Sequence, residues 1–345
     1  MMSNKRQLIR KCVVNPMENR LLSAFSASPS APSFSLSTDS QPFSEEYEHV
    51  SGIRLSYARR GTGPHNLLCL PGALGSWRTD FLPQAKALDS DCFTTVAWDP
   101  PGYGRSRPPD RDFSKGFFAR DAQLAHQLMQ KLNLCPYSVL GWSDGGLTAV
   151  FLAHQQRHCD NVRKLILWGA NSYVTPEEAD IYEKIRNVKN WSQRMRQPLV
   201  DLYGDQYFQQ TWSGWVDAFV KGFYQSQKGN ICRELLPDIK HQTMIIHGRK
   251  DPLVPSEHAD YFFKHIENSV LMLLKGAKHN LHLRYDVWFN AVVREFLTKQ
   301  KDFDWPLDGF DLPASVPGQD TPTLQIFYKD TAQNESLFTD VKSAL

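Results

Sequence analysis

The chain predicts an α/β fold: a mostly parallel sheet covered by helices on both faces, with a helical cap inserted late in the sequence. Three observations carry this. Short apolar runs alternate with segments of helical period, the signature of parallel strands joined by crossover helices. A Gly-x-Ser-x-Gly turn, Gly141-Trp142-Ser143-Asp144-Gly145, sits between an apolar run and a helix start. The stretch 172–239 then breaks the alternation, with no buried-strand pattern and many aromatic residues.

In order, Ile53-Arg54-Leu55-Ser56-Tyr57 alternates as a half-exposed strand of a hairpin does. His65–Leu70 is an apolar run ending in Pro71-Gly72, and Phe93–Trp98 another ending in Asp99-Pro100. Phe117–Leu134 has helical period through Phe117, Phe118, Ala122, Ala125, Leu128 and Met129. Tyr137-Ser138-Val139-Leu140 leads into the turn, and Asp144–Gln155 is the helix behind it. Val162–Trp168, Met244–His247 and Val270–Leu274 read as buried strands, and Tyr285–Leu297 as a closing amphipathic helix. Within 172–239, Trp212, Trp215, Phe219 and Phe223 fall near helical spacing, so this segment reads as the cap. Most of its aromatics should pack the cap onto the core, and a few should shape a pocket. The organisation is therefore a leader over 1–46, a core over 47–171 and 240–299, a cap over 172–239, and an irregular extension over 300–345.

Composition narrows the function. The chain has 345 residues, 41% hydrophobic and 22% charged, enough for a large core. Lys+Arg 39 against Asp+Glu 37 leaves a net charge of +2 without a basic stripe, which argues against nucleic acid. No apolar run approaches the roughly 20 residues that span a bilayer. The six cysteines are scattered without a C-x-x-C pair, which fits a reduced setting, and Cys69 and Cys92 read as small hydrophobes. Over residues 1–44, which are Ser-rich from 23 on, Lys5, Arg6, Arg10, Lys11 and Arg20 face only Glu18 and Asp39. That composition fits a mitochondrial transit peptide, the alternative being a tail without an address in a cytoplasmic protein. The prolines of 301–345 and its lack of periodicity suggest an irregular segment.

The Gly-x-Ser-x-Gly turn points to chemistry. In a nucleophile elbow the serine rides a strained strand-to-helix turn, and flanking glycines avoid the clash a Cβ would make. A serine hydroxyl needs a base, and the base needs an orienting acid. On this architecture, the α/β-hydrolase fold, the partners follow in the order Ser, Asp or Glu, His, each just past a strand end. Asp251 follows Met244–His247, and His279 follows Val270–Leu274. Ser143 is thus the candidate nucleophile, His279 the general base and Asp251 the orienting carboxylate. His282 is a near competitor, and His247, on the strand itself, reads as structural. The oxyanion donors should be the backbone N–H groups of Asp144 and of Ala73, in the loop Leu70-Pro71-Gly72-Ala73-Leu74-Gly75.

Asp144 bears on the substrate. At ~4 Å and an effective dielectric of about 20, a carboxylate opposes a neighbouring oxyanion by roughly 4 kcal/mol. Two readings stand side by side. An acid in the first helical turn favours the helix dipole by about 0.3–1 kcal/mol. Alternatively, a substrate ammonium neutralises the carboxylate, which points to an ester or thioester of an α-amino acid.

Several longer motifs resemble one family. They are Leu70–Ser76, Ala97–Phe113, Gly141–Gly146, Trp168–Asn171, Gly229–Arg233 and Lys278-His279-Asn280-Leu281-His282-Leu283-Arg284. Together they closely resemble the valacyclovir hydrolase family, also called biphenyl hydrolase-like, over roughly 47–299. The resemblance implies a mitochondrial serine hydrolase of α-amino acid esters with broad leaving-group tolerance. It implies catalytic roles for Ser143, Asp251 and His279, and an α-amino contact for Asp144. The leader and the 301–345 tail depart from the family. The expectation is a cofactor-free, metal-free monomer acting on a small-molecule ester, with thiolactones of amino acids as further candidates. A general carboxylesterase, or a carbon–carbon bond hydrolase with the same triad, is the alternative, and a catalytically dead fold serving as a scaffold is another. Serine rather than aspartate at the elbow disfavours a dehalogenase or epoxide hydrolase.

Overall fold

The computed structural model describes residues 44–299 and 323–329, and the backbone of 336–341. The first strands are β1 (Ser44–Val50), β2 (Ile53–Arg60), β3 (His65–Leu70) and β4 (Phe93–Trp98), with short helices α1 (Trp77–Asp80) and α2 (Leu82–Ala87) before β4. Helix α3 (Phe117–Lys131) leads to β5 (Tyr137–Trp142), α4 (Asp144–Gln155) and β6 (Val162–Trp168). The cap follows, with α5 (Pro176–Lys184), α6 (Gln193–Tyr203) and α7 (Asp205–Asp217). The chain then returns through β7 (Gln242–Gly248), α8 (Glu257–His265), β8 (Ser269–Leu274), α9 (Leu281–Arg284) and α10 (Asp286–Thr298). Strands β9 (Leu324–Lys329) and β10 (Ser336–Val341) close the described chain.

One sheet runs in the order β1-β2-β4-β3-β5-β6-β7-β8-β9-β10. From β4 to β8 the pairings are parallel, and the pairs at either edge are antiparallel. Period-2 geometry sends alternate side chains to opposite faces. Accordingly Leu68, Val139, Leu165, Leu167, Ile245 and Leu271 join the core beneath α3, α4 and α8. Their neighbours Leu67, Leu140, Ile166, Met244, Ile246 and Met272 join the opposite core, under α10 and Phe81. Burial on both faces is why these strands are continuous apolar runs. Cys69 packs in the second core and Cys92 against it.

Three expectations are corrected. β2 is not half-exposed: Leu55 through Ala58 are all buried, because both of its faces are covered, Leu55 and Tyr57 joining one core and Ala58 the other. The described chain is already in a strand at Ser44, inside the 1–46 leader, because β1 pairs with β2 over its whole length. The rest of the leader lies outside the described residues. Nor is 300–345 irregular throughout. β9 pairs antiparallel with β8, burying Leu324 and Ile326. Its alternation is short, and the open edge of β8 supplies the hydrogen bonds that make it a strand.

Between β6 and β7 the cap is helical, and α7 continues into a π-helical stretch over Ala218–Ser226. Trp212 stacks on Trp215 at 4.6 Å, and Trp215 on Phe219 at 4.1 Å. These rings belong to the same core as α3 and α4, so the cap is packed onto the sheet layer and is not a separate body. Among the described residues no helix is long and apolar enough to cross a membrane.

Candidate active site

Ser143 sits between β5 and α4 with φ 54° and ψ −120°, a conformation a non-glycine residue rarely adopts. The strain is held by contacts on every side. Ser143 N–H donates to the Trp168 carbonyl at 2.9 Å, and its own carbonyl accepts from Gly146 and Leu147. A Cβ at Gly145 would lie 1.9 Å from the Leu70 oxygen, and one at Gly141 would lie 2.5 Å from the Gly145 oxygen. Only glycine lets the elbow pass this close to β3 and to its own helix. The Ser143 hydroxyl caps no N–H of α4, which leaves it free for chemistry.

Asp251 and His279 come together from the loops after β7 and β8, with His279 Nδ1 2.7 Å from Asp251 Oδ2. The other carboxylate oxygen, Oδ1, accepts the Leu253 and Val254 N–H groups at 2.9 and 3.0 Å. Burial acts against the charge on Asp251, but the charge and hydrogen bond of His279 outweigh it, and the pKa is lowered. The His279 loop is tied to the elbow strand, where Trp142 Nε1 donates to the His279 carbonyl at 3.1 Å. Neither competing histidine takes this place. His247 points its Nε2 at the Val254 carbonyl, 3.0 Å away, and lies 3.8 Å from Asp251. His282 is fully buried with Nε2 3.0 Å from the Asp80 carbonyl. Burial lowers their pKa values to about 4 and about 3.

The Ala73 loop lies against the elbow: a Cβ at Gly72 would be 3.3 Å from Ser143 Cβ. Gly75 N–H donates to the Gly72 carbonyl at 3.0 Å, closing a turn with Ala73 and Leu74 at its tip. Gly72 N–H donates to Asp80 Oδ2 at 3.0 Å. Among the described residues neither the Ala73 nor the Asp144 N–H donates to a backbone acceptor. Sequence reasoning missed Asp80. The Ser76–Thr79 capping box that starts α1 was the local signal, since it orients the following acid.

Asp144 is the first residue of α4 and is 6% exposed. Among the described residues its carboxylate receives one hydrogen bond, from Trp215 Nε1 of the cap at 2.8 Å. Burial raises its pKa to about 7, against the pull of that bond and of the Arg111 charge. Arg111 is itself committed to Asp121 through paired contacts, one of them 3.0 Å. Trp215 lies 71 positions from Asp144, and no local pattern links the two.

No group of three or more metal-ligating side chains occurs among the described residues. The arrangement is a strained serine beside an N-terminal helix end, with an Asp–His pair on adjacent loops and two N–H groups that meet no backbone acceptor among the described residues.

Comparison with known proteins agrees with this fold. The model of the alpha/beta hydrolase family matches residues 67–292. The chain is 51% identical over 248 residues to mouse (Mus musculus) serine hydrolase BPHL, covering 72% of this chain and 84% of that protein. The human (Homo sapiens) serine hydrolase BPHL matches with the same identity and coverage. Among solved structures, MGS-M2, an alpha/beta hydrolase enzyme from a Medee basin deep-sea metagenome library, superposes with a TM-score of 0.62 at 17% identity. It covers 75% of this chain and 100% of its own, a likeness of fold. The elbow, the strand order and the family match together place this chain in the alpha/beta hydrolase family, as a serine hydrolase.

Proposed function

We propose that this enzyme cleaves esters of α-amino acids through an acyl-enzyme on Ser143. Ser143 Oγ attacks the ester carbonyl while His279 takes its proton, with Asp251 holding the imidazole in register. The N–H groups of Ala73 and Asp144 receive the oxyanion. Collapse expels the alcohol, which takes the proton back from His279. Water, deprotonated by His279, then attacks the acyl carbon, and the amino acid leaves as Ser143 recovers its proton. The Asp144 carboxylate binds the substrate ammonium throughout.

The observation that carries this reading is the Asp144 carboxylate, buried beside the nucleophile with a single hydrogen bond among the described residues where it could accept several. A helix-start role does not account for it. The dipole contributes about 0.3–1 kcal/mol, whereas moving the pKa from 3.8 to about 7 corresponds to roughly 4 kcal/mol against the charged form. An ammonium at ~4 Å offsets a cost of that size. A general esterase or a carbon–carbon bond hydrolase gains nothing from this charge.

The test compares kcat/KM for a valine ester and its des-amino counterpart. Wild type should favour the amino ester by about 2 kcal/mol, roughly 30-fold, and Asp144→Asn should erase the preference. The preference should also shrink as pH falls from 7.5 to 5.5. Asp144 becomes protonated below about 7, while the substrate amine, with an ordinary pKa of about 7.7–8.0, is mostly charged at 7.5 and only gains charge below it. Equal reaction of both esters in both enzymes would sink the reading in favour of a general esterase. Amino acid thiolactones present the same ammonium and acyl carbon and belong to the proposed substrate class.

The basic, Ser-rich, acid-poor leader supports a mitochondrial address for the enzyme. Protein isolated from mitochondria should have lost an N-terminal segment within 1–46. Full-length protein confined to the cytosol would refute this.

A further inference from the structure

One cap side chain reaches the loop that carries the Ala73 N–H. Leu74, at the tip of that turn, has φ 59°, in the left-handed region. A leucine there is strained, so the turn needs outside contacts to hold its shape. From the core, Asp80 accepts the Gly72 N–H. From the cap, Tyr203 at the end of α6 holds the other side: its Oη lies 2.8 Å from the Leu74 carbonyl oxygen. The same Oη accepts the Gly104 N–H at 2.8 Å. A backbone N–H can only donate and a carbonyl can only accept, so the single phenolic proton goes to Leu74. Tyr203 is 6% exposed, so water is poorly placed to replace it.

We infer that Tyr203 is a positioning residue for the oxyanion hole. Its hydroxyl orients the turn so that the Ala73 N–H faces the reacting carbonyl, which makes docking of the cap part of assembling the site. The inference rests on the proposed roles of Ser143 and Ala73. The roughly 2.7–3.1 Å window of an oxyanion donor is narrow, and losing one donor outright costs about 10²–10³ in kcat. Loosening its support should cost less.

Tyr207 of α7 provides a matched control. Its hydroxyl donates to the Gly102 carbonyl at 2.8 Å and accepts the Arg111 N–H at 3.0 Å. It fastens the cap to the same 99–111 loop, and these bonds do not involve the Ala73 turn. In the full-length enzyme, Tyr203→Phe should lower kcat on a valine ester about tenfold, with KM within about twofold. Affinity for an alkyl boronic acid, whose tetrahedral adduct on Ser143 places an oxygen in the oxyanion hole, should fall by a similar factor. Tyr207→Phe should keep kcat and boronic acid affinity within about twofold, and the two variants should have similar Tm. If Tyr203→Phe loses no more kcat and boronic acid affinity than Tyr207→Phe, the inference fails. Ser143→Ala separates the levels. If it is inactive while Tyr203→Phe behaves as wild type, only the positioning role is wrong. If Ser143→Ala keeps full turnover, the proposed mechanism beneath the inference is wrong.

Discussion

Asp251→Asn should slow ester hydrolysis about 10⁴-fold without unfolding the enzyme. The carboxylate lies 2.7 Å from His279 Nδ1 and so holds a proton on that nitrogen. In the proposed mechanism Nε2 is then left unprotonated to accept the Ser143 proton. An asparagine can turn its amide nitrogen toward Nδ1, which favours the other tautomer and leaves Nε2 protonated, unable to act as base. The loop should survive, because the asparagine oxygen can still accept the Leu253 and Val254 N–H groups that Asp251 Oδ1 accepts. Neither His247 nor His282 can substitute. The first is engaged with Val254 and the second with Asp80, and burial keeps both neutral near pH 7. The check is kcat/KM on a valine ester beside Tm. Activity above a tenth of wild type with an unchanged Tm would remove Asp251 from the mechanism.

His258→Ala should destabilise the fold by about 3–5 kcal/mol. His258 of α8 meets Glu178 of α5 at 3.0 Å, with both side chains fully buried, so this pair joins the cap to the core. Glu178 is also the hub of a local network. It accepts the Thr175 N–H at 2.9 Å, and Asn171 Nδ2 and the Tyr182 hydroxyl at 3.2 Å. Removing the imidazole leaves a carboxylate away from water and short of a donor, which is the expensive way to break a buried pair. For a domain of this size the loss amounts to about 6–20 °C in Tm. Adding Glu178→Gln removes the charge and should recover part of that loss, a coupling a double-mutant cycle can read. If thermal unfolding puts His258→Ala within about 1 kcal/mol of wild type, the pair is not an anchor of the cap.

Much of the scaffold is legible in the chain because the forces that build it are local. Strand segments buried on both faces are apolar runs, so Leu165, Ile166, Leu167 and Trp168 and the strands around them stand out without any knowledge of their partners. The elbow is legible because a close backbone approach demands glycine, and Gly141 and Gly145 meet that demand within five residues. Asp251 and His279 are legible by position, each just past a strand, since in a parallel sheet those ends converge on one edge.

Other features needed the folded molecule. β9 carries only a brief alternation, and it is a strand because β8 offers a free edge. The sequence already favoured His279 over His247 and His282, but the 2.7 Å contact between His279 and Asp251, and the burial of His282 against the Asp80 carbonyl, exist only in the folded molecule. Trp215 reaches Asp144 across 71 positions, and Tyr203 reaches Leu74 across 129, with no periodicity to announce either contact. The protonation of Asp144 depends on burial under the cap, which is a property of packing. By itself, then, the sequence determined the central parallel strands, the elbow and the order of the candidate triad, because these follow from side-chain period and backbone sterics over a few residues. Only the tertiary structure decided which groups meet the Asp144 carboxylate and what holds the Ala73 turn, because those contacts exist only once distant segments are packed out of water.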